Sequence, residues 1–62
     1  MQYKLYALRK QKGLTQEDMA EKLGITPHTY RNKELGYTFF NAKEMFKISD
    51  LFQKSLDDIF LP

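Results

Sequence analysis

His28, Arg31 and Asn32 stand at i, i+3 and i+4 within Thr26-Pro27-His28-Thr29-Tyr30-Arg31-Asn32-Lys33-Glu34-Leu35. On a helix this spacing gathers an imidazole, a guanidinium and a carboxamide on one side. Such a face is suited to hydrogen bonding rather than to bond making. An asparagine amide can engage N6 and N7 of one adenine, whereas an arginine reaches a guanine edge or a phosphate equally well. His28 and Asn32, one turn apart, are the leading candidates for reading base edges. Thr29 flanks the face and can touch a thymine methyl or a phosphate, and Pro27 offers only apolar contact.

Catalysis has no comparable constellation. His28 is the single histidine, there is no cysteine, and no glycine-rich phosphate loop is present. Asp57 and Asp58 are adjacent, so a helix turns them in different directions. One histidine without converging partners does not make a metal site. The sequence therefore predicts no enzyme, no cofactor, no metal and no small-molecule ligand.

Two short helices must position the polar face. Thr15 can cap the first, with Asp18 as its box partner and Glu17 in the first turn, so a helix starts at about Gln16. Met19, Ala20 and Leu23 form its apolar stripe, and Gly24 can take the left-handed conformation that ends it. Thr26 caps the second helix and Pro27 occupies its first position, where the missing N–H costs nothing. Tyr30 and Glu34 share the inward side; Gly36 closes the helix. Two helices joined by a short glycine-containing turn make a helix-turn-helix, whose second helix can enter a DNA major groove.

The stretch resembles the phage lambda repressor and Cro-type (Xre-like) helix-turn-helix DNA-binding family. Gly13-Leu14-Thr15-Gln16, Ala20, Leu23-Gly24-Ile25-Thr26, Tyr30, Glu34 and Gly36 carry the resemblance, which runs from about Leu5 to Phe60 and ends in Ser55-Leu56-Asp57-Asp58-Ile59-Phe60. It implies an all-α, five-helix lambda-repressor-like domain in which helices 2 and 3 form the helix-turn-helix. It also implies that Gln16 contacts a phosphate and braces the recognition helix. Lys33 departs from the pattern, standing where the family usually has an apolar residue that packs the second helix.

The first helix is expected over Tyr3 to Lys12, with Leu5, Leu8 and Arg9 inward. A guanidinium on that side needs a partner, because an unpaired buried charge is costly. Glu34 is turned inward beside Tyr30, and family members pair an arginine with a glutamate at the matching positions. An Arg9–Glu34 salt bridge is therefore expected. Beyond Gly36, Tyr37 to Phe40 reads as a loop with Phe40 entering the core. Asn41 caps a fourth helix with Glu44 as box partner; Met45, Ile48, Leu51 and Phe52 form its apolar face. Ser55 with Asp58 repeats the pattern before a last single-turn helix.

Sixty-two residues are one domain, and a chain of this size buries only about 60% of its unfolded surface. No disulfide can supplement the core, and no stretch is apolar enough to span a membrane or direct export. An intracellular, cytoplasmic protein is expected. Net charge is +2, but its distribution is uneven. Lys4, Arg9, Lys10 and Lys12 precede any acid, and Arg31, Lys33 and Lys43 face Glu34 alone. Such blocks fit either helix-end complements or an electrostatic footprint for nucleic acid.

Phosphate positioning is assigned to Gln16, Lys33, Tyr37, Thr38 and Lys43, since a few backbone contacts fix register on a duplex. One copy would bind weakly and with little specificity, so a homodimer on a near-palindromic operator is expected. Phe39, Phe46, Phe60 and Leu61 are the apolar candidates for its contact. The reading is a transcriptional regulator, repressor or Cro-like, with no effector or protease domain attached. An antitoxin that represses its own operon, or a protein-interaction module using helix 3 and Phe39, are the alternatives.

Overall fold

Thr15, Thr26, Asn41 and Ser55 each accept a hydrogen bond from the backbone N–H three residues on. Each thereby satisfies one of the donors a helix leaves free at its start. In the computed structural model, which describes residues 1–62, these caps open four of five helices. The elements are α1 (Tyr3–Gln11), α2 (Gln16–Leu23), α3 (Pro27–Leu35), α4 (Ala42–Phe52) and α5 (Leu56–Phe60), with no strand.

The boxes expected at α2 and α4 are complete: Asp18 returns to the Thr15 N–H and Glu44 to the Asn41 N–H. Ser55 makes only the outward half, as the Asp58 carboxylate does not come back to its N–H. The first helix has no side-chain cap. Its start is tied elsewhere, for the Gln2 N–H donates to the Glu34 carbonyl at 2.8 Å. The amino end of α1 thus hangs on the last turn of α3.

Two glycines end the central helices. Gly24 closes α2 at φ +71° and Gly36 closes α3 at φ +90°. At Gly36 an added Cβ would also stand 3.3 Å from the Met1 nitrogen, so both backbone angle and space call for glycine. The end of α4 is different. Gln53 takes the left-handed conformation at φ 54° without being glycine, and its Nε2 donates back to the Asp50 carbonyl at 2.6 Å.

Leu5, Met19, Ala20, Leu23, Tyr30, Phe40, Ile48, Phe52 and Ile59 form one buried core. Buried Ala20 lets α2 and α3 approach closely, and this is the tightest helix pair; α5 closes the base against α1 and α4. Phe40 joins the layers. Its ring lies 5.9 Å from Tyr30 and 5.8 Å from Phe60 at tilted angles, a favourable aromatic arrangement. Phe60, expected as a dimer contact, is half-buried and packs on Phe40 of its own chain. Phe39, Phe46 and Leu61 remain exposed. No helix is long and apolar enough to cross a membrane.

Candidate nucleic-acid interface

The tilt of α3 is set from behind by one buried carboxylate. Glu34, 1% exposed, accepts from Arg9 Nε at 2.8 Å and Nη2 at 3.0 Å, from the Tyr30 hydroxyl at 2.6 Å, and from Gln16 Nε2 at 3.3 Å. Arg9 Nη1 goes on to the Leu14 carbonyl at 2.9 Å. Four donors from three helices thus converge on the inward side of α3. The paired hydrogen bonds of a guanidinium on a carboxylate fix orientation as well as distance.

Burial by itself would push the Glu34 carboxyl up, but the hydrogen bonds from Arg9, Tyr30 and Gln16 outweigh it and hold it below the ordinary glutamate range. The hydrogen bond to Glu34 likewise raises the Arg9 guanidinium against the opposing effect of burial. Burial, followed by the hydrogen bond to Glu34, drives the Tyr30 hydroxyl well above its usual value. All three groups keep fixed protonation states near neutral pH. No buried polar side-chain atom in the chain lacks a partner.

With Tyr30 and Glu34 inward, α3 turns Pro27, His28 and Arg31 to solvent and leaves Thr29 and Asn32 half-buried at the margin of that face. His28 and Asn32 touch: the Asn32 amide nitrogen stands 3.3 Å from His28 Nε2. That contact uses one amide hydrogen and leaves Oδ1 and the second hydrogen, the pair needed for an adenine. Arg31 makes no ion pair within the chain. Thr26 donates its hydroxyl to Thr29 Oγ1 at 2.8 Å, so the Thr29 hydroxyl still has its own hydrogen to give.

The groups assigned to phosphates divide. Tyr37, Thr38 and Lys43 are exposed around the α3–α4 loop, and the N–H groups of Tyr37 and Thr38 both donate to the Asn32 carbonyl, at 2.9 and 3.4 Å. Gln16 is half-buried and spends one amide hydrogen on Glu34, keeping the other available. Lys33, assigned with them, is engaged within the chain. Its ammonium donates to Glu44 Oε1 at 2.7 Å and to the Phe39 carbonyl at 3.1 Å, and its side chain is only 14% exposed. Two of its three ammonium hydrogens are thus spent within the chain and its charge is matched there by Glu44, which weighs against a phosphate contact.

Glu44 is the residue that sequence reasoning missed. It was assigned to a cap alone, yet it is buried and also takes the Lys33 charge. Burial raises its carboxyl, and the Lys33 and Asn41 hydrogen bonds more than reverse that. The departure at Lys33 was the available signal, since a lysine in an inward position demands an acid. The cleft along the start of α2, lined by Arg9, Lys10, Gly13, Leu14, Thr15, Gln16 and Glu17, has a volume of about 570 Å³. No set of three or more histidine and acidic side chains is grouped to hold a metal ion.

The arrangement has counterparts among known proteins. A helix-turn-helix family model matches residues 5–59. The uncharacterized HTH-type transcriptional regulator YqaE of Bacillus subtilis is 49% identical over 49 residues, covering 79% of this chain and 42% of that protein. The uncharacterized HTH-type transcriptional regulator MJ0272 of Methanocaldococcus jannaschii is 39% identical over 61 residues, covering 98% of this chain and 92% of that protein. The chain thus spans less than half of the first relative and nearly all of the second. No solved structure matches significantly. Five helices, a glycine corner between α2 and α3 and a family match over nearly the whole length agree: the chain belongs to the lambda-repressor-like (Xre) helix-turn-helix family.

Proposed function

We propose that this chain is a sequence-specific, double-stranded-DNA-binding transcriptional regulator of the repressor or Cro type, occupying an operator as a homodimer in the cytoplasm. One observation carries the reading. A helix clamped from behind through Glu34 turns Pro27, His28 and Arg31 to solvent, with Asn32 at its margin, and an exposed polar helix face of this kind can lie in a major groove. His28 and Asn32 read base edges, with Arg31, Thr29 and Pro27 adding contacts beside them. Gln16, Tyr37, Thr38 and Lys43 hold phosphates.

Family membership and the regulator relatives support the coarse reading, and the exposed Phe39, Phe46 and Leu61 supply apolar surface for a second copy. The test is selection of binding sites from random duplex DNA, followed by titration at several salt concentrations. A selected near-palindrome bound with a steep loss of affinity as salt rises is the expected result. Sedimentation of the complex should give two protein copies per site, and Phe39→Ser with Phe46→Ser should reduce that to one. A second reading, a protein-interaction module, is favoured by Phe39 alone, which is 87% exposed beside α3. Absence of any selected DNA, with salt-independent capture of a protein partner, would favour it.

A further inference from the structure

We infer that Lys33 is a positioning residue, a strut that fixes the phosphate-side loop relative to the base-reading face of α3. The role rests on the DNA-binding reading above.

The need for a strut follows from the packing. The α3 backbone is held closely by α2, and α4 by α5, whereas α3 and α4 have no comparably close packing with each other. Yet the proposed base readers sit on α3, while Thr38 and Lys43 sit on the loop and the first turn of α4. Something must fix the distance between the two sets. Two side chains of α3 reach across: Tyr30, stacked at a tilt on Phe40, and Lys33.

Lys33 reaches the more informative target. Glu44 Oε1, which accepts its ammonium at 2.7 Å, also accepts the Asn41 N–H at 2.9 Å, while Asn41 Oδ1 accepts the Glu44 N–H at 2.8 Å. The ammonium is therefore docked on the cap of α4. It also holds the Phe39 carbonyl, and lies 5.9 Å from the Phe40 ring centre, within cation–π range. At the near end, the Asn32 carbonyl accepts from Tyr37 and Thr38. Both ends of the loop thus hang on α3, the far end through the Tyr30–Phe40 contact and through Lys33, which alone makes polar bonds there.

An apolar side chain at position 33 would fill the space without holding a carbonyl or a cap. A largely buried ion pair adds little net stability over such a side chain, so its distinctive contribution is directional. That is what a reading head with separate phosphate anchors uses.

The test compares three variants on the DNA selected by the wild-type protein. Glu44→Gln keeps an acceptor for the Asn41 N–H, and therefore the cap, while removing one negative charge. Electrostatics alone would then tighten binding to a polyanion. The strut requires the opposite, an affinity about threefold weaker, with Lys33→Met about tenfold weaker and Lys33→Arg within about twofold of wild type. Amide exchange at Thr38 and Asn41, whose N–H groups are hydrogen-bonded at the two ends of the loop, should quicken in the free protein in Glu44→Gln and Lys33→Met but not in Lys33→Arg. Thermal unfolding monitored alongside establishes that each variant is folded. A folded Glu44→Gln that binds as tightly as wild type, or more tightly, overturns the role alone. Wild-type protein that selects no DNA overturns the underlying reading and the role with it.

Discussion

Arg9 and Glu34, 25 positions apart, meet through two hydrogen bonds of 2.8 and 3.0 Å in the interior between α1 and α3. Tyr30 and Gln16 add to the same carboxylate, which makes the pair the common point of α1, α2 and α3. A buried ion pair offers little net stability over well-packed apolar groups, but stranding one member is expensive. Arg9→Met should therefore cost about 3–5 kcal/mol, read as a lower urea midpoint. Arg9→Met/Tyr30→Phe/Glu34→Leu removes all three charged or hydroxyl groups together and should recover most of that loss. A single variant no less stable than the triple would show that the pair is not acting as a unit.

The same carboxylate predicts an acid limit. Glu34 and Glu44 are both held below the ordinary glutamate value by their hydrogen-bonded cations despite burial. A carboxyl depressed in the folded state contributes stability that is present above its unfolded pKa, about 4.3, and lost as pH falls through the folded value. Melting temperature should be nearly flat from pH 7 to about pH 5 and fall below that. Glu44→Gln should fall less steeply in the acid limb, because one of the carboxyls held low in the folded state, which also include Asp18, no longer titrates. Equal acid limbs in the variant and the wild type would exclude Glu44 as a contributor.

Much of this was legible because the local rules agreed with one another. Thr15 with Asp18, Thr26 with Pro27, and Asn41 with Glu44 each mark a helix start, and each is found where those residues stand. Arg9 and Glu34 could be paired because both fall on inward faces where neither can remain alone. What escaped depends on distance across the fold rather than on spacing along it. Glu44 looked complete as a cap partner, and nothing local said that Lys33 would come to it from 11 residues away. The contact of Phe60 with Phe40 has no local signal either, because Phe40 enters from a loop with no periodicity. The proposed base-reading residues follow from the helix face alone, whereas the bases they would meet are set by a duplex outside the chain.

Gln53 shows a cost the chain carries where glycine is the common solution. It ends α4 at φ 54°, and a side chain in the left-handed region costs about 1–2 kcal/mol. Part of that is returned by the hydrogen bond from its amide to the Asp50 carbonyl. Gln53→Gly removes the strain and the hydrogen bond together, so it should raise stability by about 0.5–1 kcal/mol. Thermal melts of the two proteins decide this. A lower melting temperature for the glycine variant would mean that the amide contributes more than the backbone angle costs.

Reading and anchoring should separate when one residue of each kind is removed. Asn32, braced by His28 on α3, offers a donor and an acceptor suited to one base, whereas Lys43 is an exposed charge at the start of α4 without an ion-pair partner in the chain. Asn32→Ala should cost about 1–3 kcal/mol on the selected site and relax preference at one base pair, leaving the salt dependence nearly unchanged. Lys43→Ala should weaken every sequence alike and lower the slope of log affinity against log salt by about one. Both lie far from the Arg9–Glu34 cluster in role, so melting temperatures should stay close to wild type. The comparison turns on the pattern rather than the size of the loss. Two variants that lose affinity equally across all sequences would mean that Asn32 holds a phosphate, and that the base-reading residues of α3 must be sought at His28 and Arg31.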